Sequence, residues 1–414
     1  MKAVIFTLGC KVNEVESASL VRALRDRGYE VSADLCPADL YILNTCAVTA
    51  EAEKKSRQLV ARALRFNPAA RVLVCGCAAQ KNARVFADKK NVFAVAGARN
   101  KSKIPSLLDM TGVFIDDGDK KFDELPFPAA VRSRHFVKIQ DGCNNFCSYC
   151  IVPYLRGRSR SRSLESVVKE AYAAAAAGAE EVVLTGIDIS SYRDGERGLA
   201  DLLSALAALP ARVRLGSLEV GVVDENFLAG ARGMSDFAPH FHLSLQSGSD
   251  AVLRLMNRHY TREEYLEKCR LIYRYFPRAA VTTDVIAGFP TETEEDFADT
   301  LSLAEEARFA QMHCFVYSPR EGTPAARLPQ LPLAVKEERK AALAAFAAKR
   351  RATYIDGFLG ERFSFVPEEE KGGYTFGYTE NYIRVAVPGR VARRQDIILK
   401  ERKEEYCIGE IYHE

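Results

Sequence analysis

The spacing of apolar residues divides the chain into three stretches. From Met1 to about Ile115, short apolar runs alternate with segments whose apolar positions recur every three or four residues. "AVIFTL" precedes a helical pattern near Glu14 to Arg27, "DLYILN" one from Glu51 to Arg65, and "RVLVCG" one through the 80s. Strands alternating with helices predict a parallel sheet in an α/β domain. From about Val131 to Arg350 the alternation resumes, with "HFVKIQ", "EVVLTG", "RVRLGSLE", "FHLSLQS", "AVTTDVIAGF" and "QMHCFVYSP" as strands. About six strand–helix units in series predict a partial (β/α) barrel, with its sites at the carboxyl ends of the strands. After a polar helix from Leu333 to Tyr354 the pattern changes. "RFSFVPEEE", "GYTFGYTENYIRVAV" and "RRQDIILKERKEEYCIGEIY" are short strands with Gly and Asn turns and no helix, as in a small β-barrel.

The expected division is therefore 1–115, an N-terminal α/β domain; 116–130, a linker; 131–350, the partial barrel; and 351–414, the small β-barrel. The linker reading rests on "DDGDKKFDELPFP", which is charged, proline-bearing and aperiodic. At 414 residues each domain can bury its own core. The opening "MKAVIFTLGCK" is too short in apolar residues for a signal peptide, and no run approaches about 18 uninterrupted apolar residues. The expectation is a cytoplasmic protein with no membrane partner. A net charge of +3 leaves any nucleic-acid affinity to local patches. In a reducing compartment, 11 cysteines, an odd number, point to metal or redox chemistry in some of them and not to a disulfide framework.

Cys143, Cys147 and Cys150 form a C-x3-C-x2-C run just after the first barrel strand, in the loop at its carboxyl end. Thiolates that close together bind metal. A structural zinc needs four ligands, and within about 30 residues the one further candidate is His135, inside the preceding strand. An iron–sulfur cube held by three thiolates keeps one iron open for a substrate or cofactor. A second triad lies in the first stretch. Cys10 in "TLGCKVN", Cys46 in "LNTCAV" and Cys77 in "VCGCAAQ" each follow an apolar strand, so a parallel sheet would converge them on one carboxyl edge. Cys75 falls inside its strand and Cys36 lies ahead of Pro37, off the pattern. Cys269, Cys314 and Cys407 have no partners in the sequence pattern, so a structural role is expected for them.

The first run, with Tyr149 before its last cysteine, resembles the radical S-adenosylmethionine signature. The resemblance continues in "LTG" at Thr185 and Gly186, "SLE" from Ser217 to Glu219, "LQSGS" from Gln246 to Ser249 and "DVIAGFPTET" from Asp284 to Thr293. It implies a 4Fe-4S cluster whose open iron chelates S-adenosylmethionine, cleaved by an electron to a 5′-deoxyadenosyl radical, with Tyr149, Thr185, Gly186, Ser217, Glu219 and Gln246 as cofactor-binding residues. With a second cysteine triad and a terminal β-barrel, the whole chain is similar to the methylthiotransferases. That implies a second 4Fe-4S cluster carrying the sulfur that is methylated and transferred, and a flavodoxin- or ferredoxin-type reductant. "TLGCKVNEVES", with Lys11 and Val12, looks most like the branch acting on N6-threonylcarbamoyladenosine-37 of tRNA. Asp188 departs from it, standing in "LTGIDIS" where that branch commonly has His. Siblings acting on isopentenyladenosine-37 or on ribosomal protein S12 are the alternatives, and a non-enzymatic iron–sulfur RNA sensor a remoter one.

Arg156, Arg158, Arg160 and Arg162 alternate with small residues, so an extended chain would present one cationic edge suited to phosphate. The last stretch resembles a TRAM domain, an RNA-binding module. Residues 349 to 414 hold 12 Lys or Arg and 12 Asp or Glu. Binding would therefore rest on a local face with Arg384, Arg393 and Arg394, and with Tyr378 and Tyr382 for base stacking. Removing 351–414 is expected to cost tRNA binding and spare the chemistry.

Overall fold

The structure, a computed structural model, describes residues 1–116, 121–128 and 133–413. The expected linker 116–130 lies partly outside the described residues. The chain forms two compact units: Met1–Ala130 with Lys138–Ser163 and Ser318–Thr323, and Val131–Val137 with Leu164–Tyr317 and Pro324–Glu414.

In the first unit, strands β1 (Lys2–Thr7), β2 (Glu30–Ser32), β3 (Leu40–Thr45), β4 (Arg71–Gly76), β5 (Val92–Ala96) and β6 (Gly112–Phe114) form a sheet in the order β2-β1-β3-β4-β5-β6. Every pairing is parallel. β3 is buried along its whole length, which is why "LYIL" runs apolar without alternation and the polar Asn44 and Thr45 that end it are hydrogen-bonded. The helix Ala50–Leu64 starts where the Thr49 side chain accepts from the Ala52 N–H at 3.1 Å. The single helix expected through the 80s is instead two short ones, Cys77–Lys81 and Arg84–Ala87. Asn82 between them takes a non-helical conformation (φ −151°, ψ 86°).

Strand β7 (Arg134–Lys138) enters this unit at its last residue. Beyond it, β8 (Gln140–Asp141) pairs antiparallel with β9 (Arg160–Ser161), with the short helix Val152–Arg156 between them. Ile151 and Leu155 join the core formed by Val74, Ala78 and Phe86. The cysteine-bearing loop thus packs with the N-terminal sheet, whereas the sequence division grouped it with the barrel.

The second unit contains the arc of β7, β10 (Glu181–Thr185), β11 (Arg212–Leu215), β12 (Ser217–Leu218), β13 (His240–Leu243), β14 (Ala280–Ala287) and β15 (Gln311–Val316). "RVRLGSLE", expected as one strand, breaks at Gly216. The Gly216 N–H donates to the Leu184 carbonyl at 2.8 Å, and a Cβ there would meet that oxygen at 3.1 Å. The chain then changes neighbours, β11 pairing with β10 and β12 with β13.

The last five strands, β16 (Arg362–Lys371), β17 (Tyr374–Thr379), β18 (Arg384–Pro388), β19 (Gln395–Arg402) and β20 (Cys407–Ile411), close into a barrel around Phe363, Phe365, Val385, Ile397 and Leu399. It is seated against the amino ends of the arc. Glu181, fully buried, accepts from Arg134 at 2.7 Å and from two nitrogens of Arg214 at 2.8 Å. The three arginines of that face reach out to the small barrel: Arg134 to Glu368 at 2.6 Å, Arg212 to the Ser364 carbonyl at 3.1 Å, and Arg214 to the Thr379 carbonyl at 3.0 Å. His240 stacks on Tyr382 with centroids 4.1 Å apart.

Burial pushes the Glu181 carboxyl up, but Arg214, Arg134 and Arg212 outweigh it and hold it down to about 2. A folded-state value below the unfolded one stabilises the fold above the ordinary carboxylate pKa, and this stability is lost as pH falls toward 2. It amounts to about 3 kcal/mol. Urea unfolding between pH 6 and pH 3 should therefore show a stability that drops with acid, and Glu181→Gln should flatten that slope. An unchanged slope in the variant would assign the acid sensitivity elsewhere.

Candidate functional site

β1, β3 and β4 are adjacent parallel strands, and Cys10, Cys46 and Cys77 follow their carboxyl ends. The turns that carry them are tight. Gly9 has φ +116°, and a Cβ on it would lie 3.0 Å from the Cys46 Cβ and 3.1 Å from its Sγ; at Gly76, φ +96°, a Cβ would meet the Thr45 carbonyl at 2.4 Å. The Thr45 hydroxyl donates to the Cys75 carbonyl at 2.5 Å, pinning the β3 and β4 ends together. Burial pushes the Cys46 and Cys77 thiols up, and neighbouring thiols of the set push further. Three soft donors that repel one another as thiolates are a donor set that a cationic iron cluster fits. Cys75 lies within β4, fully buried, its thiol pushed up to about 12 by that burial. Cys36 packs half-buried against the core. Cys269, Cys314 and Cys407 are dispersed in the second unit, on a helix, on β15 and on β20.

Cys143, Cys147 and Cys150 occupy a loop that folds back on itself. The Cys143 N–H donates to the Gly157 carbonyl at 3.1 Å, the Cys150 N–H to the Cys147 carbonyl at 2.9 Å, and the Asn145 N–H to the Cys143 Sγ at 3.4 Å. Gly142, at φ +73°, is needed for this return, since a Cβ there would lie 2.1 Å from the Arg158 carbonyl. An amide already directed at a thiol sulfur, with two more thiols within seven residues, fits a thiolate-held cluster. Tyr149 is half-buried in the same loop.

Both cysteine loops are tied to one buried charge network. The Arg156 guanidinium donates to Glu16 and to Asp141, each at 2.9 Å, and to the Asn13 side chain at 2.6 Å. Lys138 donates to Glu16 and Asp141, both at 2.7 Å, and Lys101 pairs with Glu16 and reaches Asn44 at 3.0 Å. Glu16 lies on the helix that follows Cys10, and Asp141 is two residues before Cys143. Burial raises the Glu16 carboxyl, yet Arg156, Lys101 and Lys138 together hold it well below the usual carboxylate range.

This network corrects the reading of the arginine run as a phosphate-binding edge. Arg156 is 1% exposed and Arg160 is buried with its guanidinium on the Arg156 carbonyl; Arg162 is buried and paired with Glu124. Arg158 alone of the four is exposed, its guanidinium 4.5 Å from the Phe146 ring centroid. The run is not extended: Arg156 ends a helix, and Gly157, at φ +78°, turns the chain. On the small barrel Arg393 is exposed, and Arg384 is half-buried over Phe376. Arg394 is tied to Asp236 and to the Ser364 hydroxyl. Tyr378 and Tyr382 stack on each other at 4.6 Å, and Tyr382 also covers His240, so its ring is occupied internally and not offered to a base.

Of the predicted cofactor residues other than Tyr149, all five lie in the second unit, in or just after the strands of the arc. Thr185 ends β10 with Gly186 after it, and Ser217 opens β12. Glu219 forms a two-pronged pair with Arg258, whose guanidinium also donates to the Ser244 carbonyl at 2.9 Å. Gln246 sits at φ 70°, its N–H on the Asp284 carbonyl at 2.9 Å. Sequence reasoning missed Arg258, Glu16 and a set inside the arc. Among the described residues, His242, Asp284 and His313 are the one group of His, Cys, Asp or Glu whose ligand atoms all gather within 4.8 Å. On β13 their signal was available as alternation, since positions 240 and 242 are polar between Phe241 and Leu243; on β14 the run Thr282, Thr283, Asp284 hides it.

Residues 137–304 match the model of the radical SAM superfamily, and residues 2–97 that of the uncharacterized protein family UPF0004. The chain is 37% identical over 403 residues to the threonylcarbamoyladenosine tRNA methylthiotransferase MtaB of Bacillus subtilis, covering 92% of this chain and 89% of the relative. The Aquifex aeolicus protein of the same name is also 37% identical, covering 94% and 97%. A tRNA-2-methylthio-N(6)-dimethylallyladenosine synthase of Oceanobacillus iheyensis is 35% identical, covering 92% and 77%. Among solved structures, the radical S-adenosylmethionine methyltransferase TsrM of Kitasatospora setae aligns at a TM-score of 0.59, covering 78% of this chain and 76% of that one; at 14% identity this is a likeness of fold. Among the described residues no helix is long and apolar enough to cross a membrane.

Proposed function

The chain belongs to the radical S-adenosylmethionine tRNA methylthiotransferase family, and we propose that it converts N6-threonylcarbamoyladenosine at position 37 of tRNA to its 2-methylthio derivative. The observation that carries the reading is the pair of cysteine triads in one compact unit, Cys10, Cys46 and Cys77 on three adjacent strand ends and Cys143, Cys147 and Cys150 in a closed loop. Each triad would hold one 4Fe-4S cluster by three thiolates. When bound, the clusters and S-adenosylmethionine supply hydrogen-atom abstraction, the sulfur and its methyl group.

What the protein's own residues contribute is support and orientation. The Asn145 N–H stabilises charge on the Cys143 sulfur. Glycines 9, 76 and 142 let the backbone turn where a side chain would collide. Thr185, Gly186, Ser217, Glu219 and Gln246 would bind S-adenosylmethionine, and Arg258 fixes the Glu219 carboxylate in place. Exposed Arg158 and Arg393, with half-buried Arg384, remain candidates for tRNA phosphate; Arg156, Arg160 and Arg162 do not. A flavodoxin- or ferredoxin-type reductant and a cytoplasmic setting complete the proposal.

The test is mass spectrometry of tRNA nucleosides from cells lacking and regaining the gene. 2-Methylthio-N6-threonylcarbamoyladenosine should disappear and return. If the 2-methylthio isopentenyl nucleoside changes instead, the sibling activity is the correct one and the enzyme class stands.

A further inference from the structure

We propose that His242, Asp284 and His313 form the subsite that reads the N6 substituent of the substrate adenosine, and that they make it selective for a polar, hydrogen-bonding substituent over an apolar one. The inference rests on the threonylcarbamoyladenosine reading above. The three side chains project from β13, β14 and β15 onto one face. Thr282 stands beside His242 and Asp284 beside His313 in the strand register, and the His242 Nε2 lies 3.3 Å from the Asp284 Oδ2.

That face is the concave one. His240, two residues before His242, stacks on Tyr382, which also lies under the guanidinium groups of Arg134 from β7 and Arg214 from β11, on the far side of the arc. From His240 and His242 on β13 the chain runs on to Gln246, three residues past the carboxyl end of the strand. The triad therefore sits between the end covered by Tyr382 and the end that carries Gln246. Thr282, on the same face, orients the ring: its hydroxyl is 3.0 Å from the His242 Nδ1 and 2.9 Å from the His240 Nε2, which turns the His242 Nε2 to the Asp284 carboxylate.

None of these polar groups is needed to hold the strands together, which the backbone ladders already do. When a substrate fills the arc and expels water, the His313 imidazole and the Asp284 oxygen that does not face His242 must bond to it or be stranded. A threonylcarbamoyl group offers ureido N–H and hydroxyl donors for Asp284 and carbonyl and hydroxyl acceptors for the His313 imidazole. A dimethylallyl group offers neither. Beside His313 a groove of about 370 Å³ opens between β15 and the helix Leu333–Asp356, lined by Phe315, Ala344 and exposed Lys340. A site built to hydrogen-bond a substrate group rejects the analogue lacking it far more strongly than an apolar pocket rejects an added polar group.

The experiment uses the full chain with its clusters reconstituted anaerobically, and one tRNA prepared with either N6-threonylcarbamoyl- or N6-dimethylallyladenosine at position 37. It measures kcat/KM for methylthio transfer and filter-binding affinity for each. His313→Phe is expected to lower kcat/KM on the threonylcarbamoyl tRNA about tenfold or more and to narrow the preference between the two tRNAs, with affinity moving the same way. Asp284→Asn should act in the same direction. If it fails to hold iron, His313→Phe, at an exposed position, carries the test alone. A preference unchanged in an iron-loaded His313→Phe overturns the inference. If instead the unaltered protein acts on the dimethylallyl tRNA and not on the threonylcarbamoyl one, the reading of the function fails and the subsite with it.

Discussion

Glu16→Gln is expected to lower the stability of the folded chain by about 3–5 kcal/mol, the usual cost of removing one partner from a buried ionic network. Glu16 is 1% exposed and is the common acceptor of Lys101, Lys138 and Arg156, which are themselves 1–5% exposed. An uncharged amide leaves Lys138 and Arg156 facing Asp141 alone and Lys101 with only the Asn44 side chain, and their desolvation is no longer offset. Arg156→Met should cost a similar amount, because it strands Glu16 and Asp141 instead. The double variant should lose less than the sum, since each change relieves part of what the other exposes. Urea unfolding of the three variants measures this. Losses under about 1 kcal/mol, or strict additivity, would show that the network is solvated in solution and contributes little. The same variants should retain less iron, because the network anchors the helix after Cys10 and the strand before Cys143.

The second large effect separates the two triads. Replacing Cys143, Cys147 and Cys150 with Ala should reduce the iron of reconstituted protein from about eight to about four per chain and end all cleavage of S-adenosylmethionine. Replacing Cys10, Cys46 and Cys77 should also halve the iron and abolish methylthio transfer, yet leave 5′-deoxyadenosine formation. One equivalent of zinc with no iron would remove the cluster reading altogether. Loss of 5′-deoxyadenosine in a folded N-terminal variant that still holds four iron would show that the division of labour is wrong.

Much of this architecture was legible in the chain because its signals are local. The parallel sheet announced itself through apolar runs such as "LYIL", and Cys10, Cys46 and Cys77 each stand just past such a strand. What could not be read is set by partners distant in sequence. The alternating arginines have the period of an extended cationic edge. The pattern contains nothing to say that Arg156 would find Glu16, 140 residues earlier, or that Gly157 would break the run. A hint did exist, since Glu16 sits among Val12, Val15 and Leu20 on the buried side of its helix, where a lone acid needs a cation. The junction of the small barrel with the arc was equally invisible. Arg134, Arg212 and Arg214 looked like ordinary strand charges until Glu368 and the carbonyls of Ser364 and Thr379 met them. Removing residues 351–414 is therefore not the clean cut that the sequence suggested. It uncovers three arginines and Glu181, and loss of activity in such a truncation would say little about tRNA.

Tyr382 gives that junction a wider meaning. Its ring, carried on a left-handed residue at φ 64°, lies flat on His240 and beneath two guanidinium groups at the amino ends of the strands. It covers His240 and the inner face of the arc beside it. Any exchange of the C-terminal barrel between relatives would have to import a matching ring, with carbonyls placed for Arg214, or leave His240 and that guanidinium uncovered. The two parts are in this sense one inherited piece, and a chimera that kept Thr379 to Tyr382 from this chain should fold where one that replaced them would not.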